Sequence, residues 1–540
     1  MQTETTGPNA PWLIMLYMAG DNNLTEEMVL ALQDLVAEGA PPGSAIKAQF
    51  DPSGEGYDTQ RFTFNSARHA ALEGHRDKTF IGGEINAGSP EALVDFVQWA
   101  ADEYSPTRYA LVLSGHGGGT SDDFLLKDEN SRDALSMKEL QEALARATAH
   151  IRQSSGDPNR KFDILGFDAC FMSMGEVALE VRDYADVLVG AEGMEPTFGW
   201  PYRRLIAKAK RRMAAGDGHA TPESLAREIV DEYVTHYNDF DRTAGRSADL
   251  AAINLRKLDG LVESFKALVG KLARLNKTGH NQLLLAHWYS QTYKFDQYVD
   301  LTDLCVKISE LVPDVGNECA AVRKALANCV IRSGCSGFAY QHSHGLSIYF
   351  PWAFVSPDYR NLKFPQVTGW YDFLETHVKE TQREPRYGEI PRTVAELGEA
   401  KRRRLDRLNK LIAACRNGNG APCEREVSDD EIDRAITAQF RKILSKAARY
   451  RRRESDQALD SHLIQLIADV AEAEMPDSDL PHEIARRFLL GTTFGEHNSR
   501  FGGLSKFGGL SKFAEISRSP ADRERAIKNL PPVIGMTFEP

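Results

Sequence analysis

Alternation of strand-like and helix-like runs predicts an α/β protein built on a layered sheet, and three stretches carry that prediction. The first is the apolar run Trp12-Leu-Ile-Met-Leu-Tyr-Met18, which ends in Ala-Gly-Asp-Asn-Asn. The second is Tyr109-Ala-Leu-Val-Leu-Ser-Gly-His116, followed by three glycines. The third is Asp163-Ile-Leu-Gly-Phe-Asp-Ala-Cys170, with a helix-like run from Phe171 to Asp183 directly after it. Open parallel sheets place their chemistry at the carboxyl ends of strands, which is where His116 and Cys170 stand.

The elements follow in order. Residues 1–11 are polar and Pro-containing and read as a loose tail. Asp21 and the asparagines after the first strand suit the start of a helix, Leu24 to Glu38, that Pro41-Pro-Gly43 stops. Ala45–Phe50 and Gln60–Phe64 read as a strand and its hairpin partner. Pro90 to Tyr104 is an amphipathic helix with Leu93, Phe96, Val97 and Ala100 on one face. Thr120 to Leu135 is mostly polar and reads as an exposed loop, and Met137 to Ala147 as a helix. Val187–Gly190 is a short strand, and Glu192 to Tyr202 a loop rich in Gly, Pro and aromatics. Helices over Pro222–Tyr237 and Arg256–Leu275 flank a strand at Leu250–Leu255. A helix closes at Leu311, and Gly345–Pro351 is a strand stopped by proline.

One sheet domain therefore spans residues 12–378. Strand signals stop beyond it, and Arg, Lys, Glu and Ala dominate residues 395–460. Residues 379–540 read as a mainly helical accessory region, with Phe-Gly-Gly-Leu-Ser-Lys repeated at 501–512. Two copies are too few for a solenoid.

Composition narrows the function. A net charge of -12 gives no electrostatic basis for wholesale nucleic-acid binding. The Arg-rich runs near 402 and 451 read as solvated helix faces. No apolar run reaches 18 residues, so no membrane span is expected. Residues 1–11 hold no Lys or Arg, unlike a signal peptide, and the expected location is cytoplasmic. Seven cysteines without a C-x-x-C pair support neither a zinc site nor a disulfide framework.

A thiol attacks as thiolate and needs a base or a positive field beside it. Cys170, ahead of the expected helix, gains such a field from a helix N-terminus, and His116 supplies the base if the two strands are neighbours. The peptide N–H groups of Gly117 and Cys170 then suit a developing oxyanion. Cys170 as nucleophile and His116 as general acid/base need no metal.

The same stretches resemble the clostripain family of cysteine peptidases, relatives of caspases, legumain and gingipains. The matching pieces are Trp12–Leu24, Leu93–His116 with its glycines, Asp163–Cys170, Asp183–Gly190, Glu195-Pro to Gly199-Trp-Pro-Tyr202, and Gly345–Pro351. They fall in family order. The resemblance implies a caspase-like sheet sandwiched by helices and endopeptidase activity on proteins or peptides, usually after Arg or Lys, with Arg favoured. It places Asp168 in the pocket for the basic side chain, where a buried carboxylate suits a guanidinium. Asp168 reads alternatively as a helix N-cap. Phe198 stands where the family can carry a second acid, which weakens the electrostatic case for a basic side chain or narrows the choice between Arg and Lys; Glu192 and Glu195 are the candidates to compensate, and Glu195 and Phe198 join the substrate-binding set. Ser114 stands where an aromatic is common.

Family members are often zymogens cut between His and Cys, which points to Lys127 or Arg132 as cleavage sites, by the enzyme itself or by an activating protease. A regulatory partner is a further expectation. Some relatives require calcium, and Asp122-Asp123 with Asp128-Glu129 supply acids for it. The rival reading is a catalytically silent caspase-like scaffold, or a binding protein that works through residues 379–540.

Overall fold

The computed structural model describes residues 11–382 except 55, 66–70, 105, 121–124, 215–220, 239–246, 294–296, 338–339 and 352–354. The accessory region beyond 382, its repeat, Cys415 and Cys423 lie outside the described residues.

The described chain opens with three strands, β1 (Trp12–Gly20), β2 (Ala45–Pro52) and β3 (Gln60–Phe64), with α1 (Thr25–Glu38) between the first two. Next come α2 (Pro90–Asp102), β4 (Arg108–Ser114), the hairpin β5 (Leu125–Asp128) and β6 (Asp133–Leu135), and α3 (Met137–Ser155). Then follow β7 (Phe162–Asp168), α4 (Gly175–Val181), β8 (Ala185–Gly190), α5 (Tyr202–Ala214), α6 (Pro222–Tyr237) and β9 (Ala248–Asn254). The later chain adds α7 (Leu258–Leu272), α8 (Lys277–Tyr289), β10 (Thr292–Tyr293), β11 (Tyr298–Asp300), α9 (Leu301–Leu311) and α10 (Gly316–Cys329). It closes with β12 (Val330–Ser336), β13 (Ser347–Tyr349), α11 (Lys363–Thr368) and α12 (Trp370–Gln382).

Eight strands make one sheet in the order β12-β9-β8-β7-β4-β1-β2-β3. The run from β2 to β8 is parallel, and β3, β9 and β12 join antiparallel. Residues alternate across β1: Leu13, Met15 and Tyr17 pack on one face, and Trp12, Leu16 and Met18 on the other. The first face is covered by α2, α3 and α4, with Leu93, Phe96, Leu140 and Val177 buried. The second is covered by α1, α5 and α6, with Leu32, Leu35, Ile206 and Tyr233 buried. This is the expected sheet between two helical layers.

Helix starts obey local chemistry. Ser89 caps α2, with Pro90 in its first turn, and Ser136 and Glu139 form a reciprocal capping box on α3. The apolar run of residues 12–20 is the strand β1, paired on both sides. Among the described residues, no helix is long and apolar enough to cross a membrane.

Three expectations change. The Thr120–Leu135 stretch contains a hairpin, not a plain loop: Leu125, Leu126, Asp128 and Leu135 are buried against the body. Gly345–Pro351 contributes only Ser347–Tyr349 as strand, in a separate three-stranded sheet ordered β10-β11-β13. The helix after Cys170 begins at Gly175 rather than Phe171, because Phe171 takes a left-handed φ of 62° and its N–H donates to the Gly193 carbonyl.

Candidate active site

Strand pairing brings the two reactive residues together. In the β4/β7 register Ser114 lies opposite Asp168, so His116 and Cys170 each stand two residues beyond a paired position. Gly115 N–H donates to the Asp168 carbonyl at 3.1 Å and extends the pairing past the strand ends. A Cβ on Gly117 would stand 2.3 Å from the Cys170 carbonyl oxygen and 3.0 Å from its nitrogen. Glycine at 117 is therefore what lets the two backbones touch.

Both residues line one cleft of about 800 Å³, together with Asn23, Asp168, Glu195 and Phe198. The cleft opens where the chain order reverses between β1 and β4, the position at which open α/β sheets bind ligands.

The imidazole of His116 is partly buried. Its Nε2 lies 2.7 Å from Asn23 Oδ1, an acceptor, so Nε2–H donates and Nδ1 is the other ring nitrogen. Burial lowers the His116 pKa below its ordinary value, and the nearby Lys127 charge lowers it further. Neutral imidazole is thus the resting form at neutral pH.

Cys170 does not sit at a helix N-terminus, which removes the field expected there. The Glu195 N–H donates to Cys170 Sγ at 3.3 Å instead, and such a bond favours thiolate. The left-handed turn at Phe171 holds the cysteine in that position.

Asp168 is buried at the floor of the cleft. Its Oδ2 accepts from Ser114 Oγ at 3.0 Å and Tyr202 OH at 2.8 Å, and its Oδ1 from Trp200 N–H at 2.9 Å. None of these donors belongs to the helix after Cys170, so Asp168 is not an N-cap. A Cβ on Gly199 would meet Asp168 Oδ1 at 2.6 Å, so that glycine closes the floor. Ser114 serves as one of the Asp168 donors.

Both Glu195 carboxylate oxygens are buried without a hydrogen-bond donor. Burial, and then the charges of Asp168 and Cys170, push its carboxyl well above the usual range. Glu192 points elsewhere: Asp300 and Asp249 act on its carboxyl, which accepts from Gly345 N–H, and it does not line the cleft. Of the two acids suggested as compensation for Phe198, only Glu195 is in place. Phe198 is 56% exposed at the rim.

Lys127 and Arg132 differ in setting. Lys127 borders the cleft and pairs with Glu129 at 2.8 Å, whereas Arg132 stands exposed between β5 and β6. Asp122 and Asp123 lie outside the described residues, and Asp128 turns inward, fully buried. Cys305, Cys319 and Cys329 are buried and Cys335 is partly buried; none of the four is in a disulfide and none lines this cleft. His344 pairs with Asp300 at 3.0 Å.

Sequence reasoning missed Asn23. Its signal was a polar residue directly beyond the end of the strand beside β4, read there only as a helix-starting turn.

A mixed sheet with a parallel centre between helical layers, with His and Cys beyond adjacent parallel strand ends, is a caspase-like fold with a thiol at its active edge. A sequence model of the clostripain family (Peptidase_C11) matches residues 16–377, and the chain belongs to that family of cysteine endopeptidases. Clostripain of Hathewaya histolytica is 23% identical over 432 residues, covering 67% of this chain and 80% of that protein. Among solved structures, a secreted C11 cysteine protease from Bacteroides thetaiotaomicron, in complex with an irreversible peptide inhibitor, is 18% identical with a TM-score of 0.50. The match covers 67% of this chain and 99% of that one. An inactive zymogen C11 protease from Parabacteroides distasonis is 20% identical with a TM-score of 0.47, over 66% of this chain and 98% of that one. Proteins or peptides are the substrates of such an enzyme.

Proposed function

We propose that this chain is a His–Cys endopeptidase that cuts after basic residues, Arg before Lys, and that cleavage in the 120–135 stretch activates it. The observation that carries the reading is the placement of His116 and Cys170 past the paired ends of β4 and β7, above Asp168.

His116 Nδ1 takes the thiol proton, and Cys170 Sγ attacks the scissile carbonyl carbon. The N–H groups of Gly117 and Cys170 receive the oxyanion. The tetrahedral adduct collapses as the imidazolium gives its proton to the leaving amine, forming a thioester. Water, deprotonated by His116, then hydrolyses the thioester and returns the thiol. Asn23 fixes the ring and is a positioning residue.

The side chain before the cut enters toward Asp168 and Glu195. Two carboxyl groups side by side suit the two-pronged donor face of guanidinium better than a single ammonium, which favours Arg. An arriving cation also draws the proton off Glu195. Phe198 covers the aliphatic stem at the rim.

Peptides that vary only in the residue before the cut, incubated with purified protein and read by mass spectrometry, test the reading. Cleavage should follow Arg, then Lys, and vanish in Cys170→Ala. Asp168→Asn should lower turnover of basic peptides by roughly a hundredfold, the scale of about 3 kcal/mol for a charged hydrogen bond. Equal cleavage after neutral residues, or activity retained in Cys170→Ala, would overturn it.

A further inference from the structure

A second cavity, of about 100 Å³, lies between the sheet and helices α1, α5 and α6. Leu16, Val112 and Ile164 of the sheet form one wall, and Leu35, Ile206 and Ile229 of the helices form the other. Arg212 and Glu228 border it where α5 meets α6. They pair at 2.6 Å and are both partly exposed, so this is the side nearest solvent. Tyr202 lines this cavity and the catalytic cleft alike.

Two polar side chains on the apolar wall point to a ligand. Trp200 Nε1 and Ser44 Oγ are buried with no hydrogen-bond partner among the described residues, and both residues line the cavity. Trp200 is 3% exposed and Ser44 1%. The indole nitrogen is a donor only, and leaving it without an acceptor is costly. A Cβ on Gly166 in β7 would stand 2.7 Å from the indole Cη2, so that glycine makes room for the six-membered edge of the ring. Nε1 lies on the other edge.

We propose that this cavity binds a small neutral molecule with an apolar body and one carbonyl oxygen, which accepts from the Trp200 indole N–H. The apolar wall sets the body, because a charged group would lose its hydration there without a partner. Arg212 and Glu228 already neutralise one another. Size follows from the volume: an apolar cavity of about 150 Å³ holds benzene, so one ring with a short arm toward the α5–α6 side is the scale here. Water suits the place poorly, since a buried water needs two to four polar partners. The Trp200 ring lies over β7 and Ser44 stands at the start of β2, with β4 and β1 between them. Strands about 4.8 Å apart put the two atoms beyond the reach of one water.

Binding there acts on the cleft, provided that Asp168 seats the basic side chain as proposed above. The Trp200 backbone N–H and the Tyr202 OH donate to the two Asp168 oxygens at 2.9 and 2.8 Å. A molecule held against both rings restrains these donors and so holds the floor of the cleft in place. By linkage, a guanidinium at Asp168 and a ligand in the cavity then tighten one another.

The test uses full-length Cys170→Ala, which cannot turn substrate over by the proposed route, and two probes titrated by ligand-observed NMR. Acetophenone and ethylbenzene share a ring and a two-carbon arm, and only the ketone carries an acceptor. Acetophenone should bind saturably and at least fivefold tighter than ethylbenzene. Trp200→Phe, added to this protein, should level the two affinities, and Ala209→Phe, which fills the cavity from α5, should abolish both. No saturable binding of acetophenone, equal affinities before substitution, or a preference kept in Trp200→Phe would overturn the site. Argininamide should then tighten acetophenone at least twofold, and an unchanged affinity would overturn the coupling alone. If argininamide itself fails to bind, the reading of Asp168 falls and the coupling with it, while the cavity site stands on the first titration.

Discussion

His116 rests as a neutral imidazole because burial and Lys127 both penalise its charged form. The acidic limb of kcat/KM should therefore fall below the ordinary histidine range. Removing a positive charge makes imidazolium easier to form, so Lys127→Ala should move that limb to higher pH. A limb that stays in place would remove Lys127 from the argument. Asn23→Ala, which frees the ring to rotate, should cost roughly a hundredfold in kcat with little change in KM, the scale of a misplaced catalytic group. Gly117→Ala should fail more severely, since its methyl would strike the Cys170 backbone. Glu195→Gln keeps the shape of a buried side chain that lacks donors. It should lower turnover after Arg by roughly tenfold or more, about 1.5–3 kcal/mol, while leaving the unfolding temperature at or above that of wild type.

On the proposed reading, the element that governs activation is the β5–β6 hairpin. Its two basic residues looked equivalent as letters in a polar stretch, and pairing separates them. The Lys127 carbonyl accepts from Asn22 Nδ2 at 2.8 Å, and the next residue, Asp128, is buried with both oxygens bound. A peptidase must draw out an extended, accessible segment, which this bond cannot supply without opening the sheet edge. Arg132 and Asp133 are exposed at the turn. Cleavage is therefore expected at Arg132–Asp133. Mass spectrometry of Arg132→Ala should show no cut, while Lys127→Ala is cut as wild type is; the reverse pattern would refute the assignment.

At the scale of the whole molecule, buried acids tie together segments distant in the chain. Glu176 in α4 accepts from Tyr349 N–H at 2.9 Å and Tyr359 OH at 2.6 Å, and Asp249 in β9 accepts from the N–H groups of Glu192 and Gly193. Burial raises each to about 7. The folded state thus holds protons that the unfolded chain has released above the ordinary carboxylate pKa near 4. Stability from these groups is full below that value and is lost as pH rises through about 7. The unfolding temperature of Cys170→Ala should fall between about pH 5 and 8, and Glu176→Gln should flatten that slope. An unfolding temperature that rises over the same range would contradict the assignment.

The strand–helix alternation, the places of β1, β4 and β7 to within a residue or two, the family, and the candidates His116, Cys170 and Asp168 were all legible in the sequence. These are local signals: an apolar run, a turn after it, and motifs in a fixed order. Only the tertiary structure decided which residues face one another. Strand pairing aligned Ser114 with Asp168, and the packing of loops placed Glu195 rather than Glu192 in the cleft and Asn23 beside His116. It also replaced the expected helix field at Cys170 with the Glu195 amide, because the left-handed Phe171 delays α4 to Gly175. Periodicity reports a side chain's own face, whereas a site is made of contacts between segments that lie far apart in the chain.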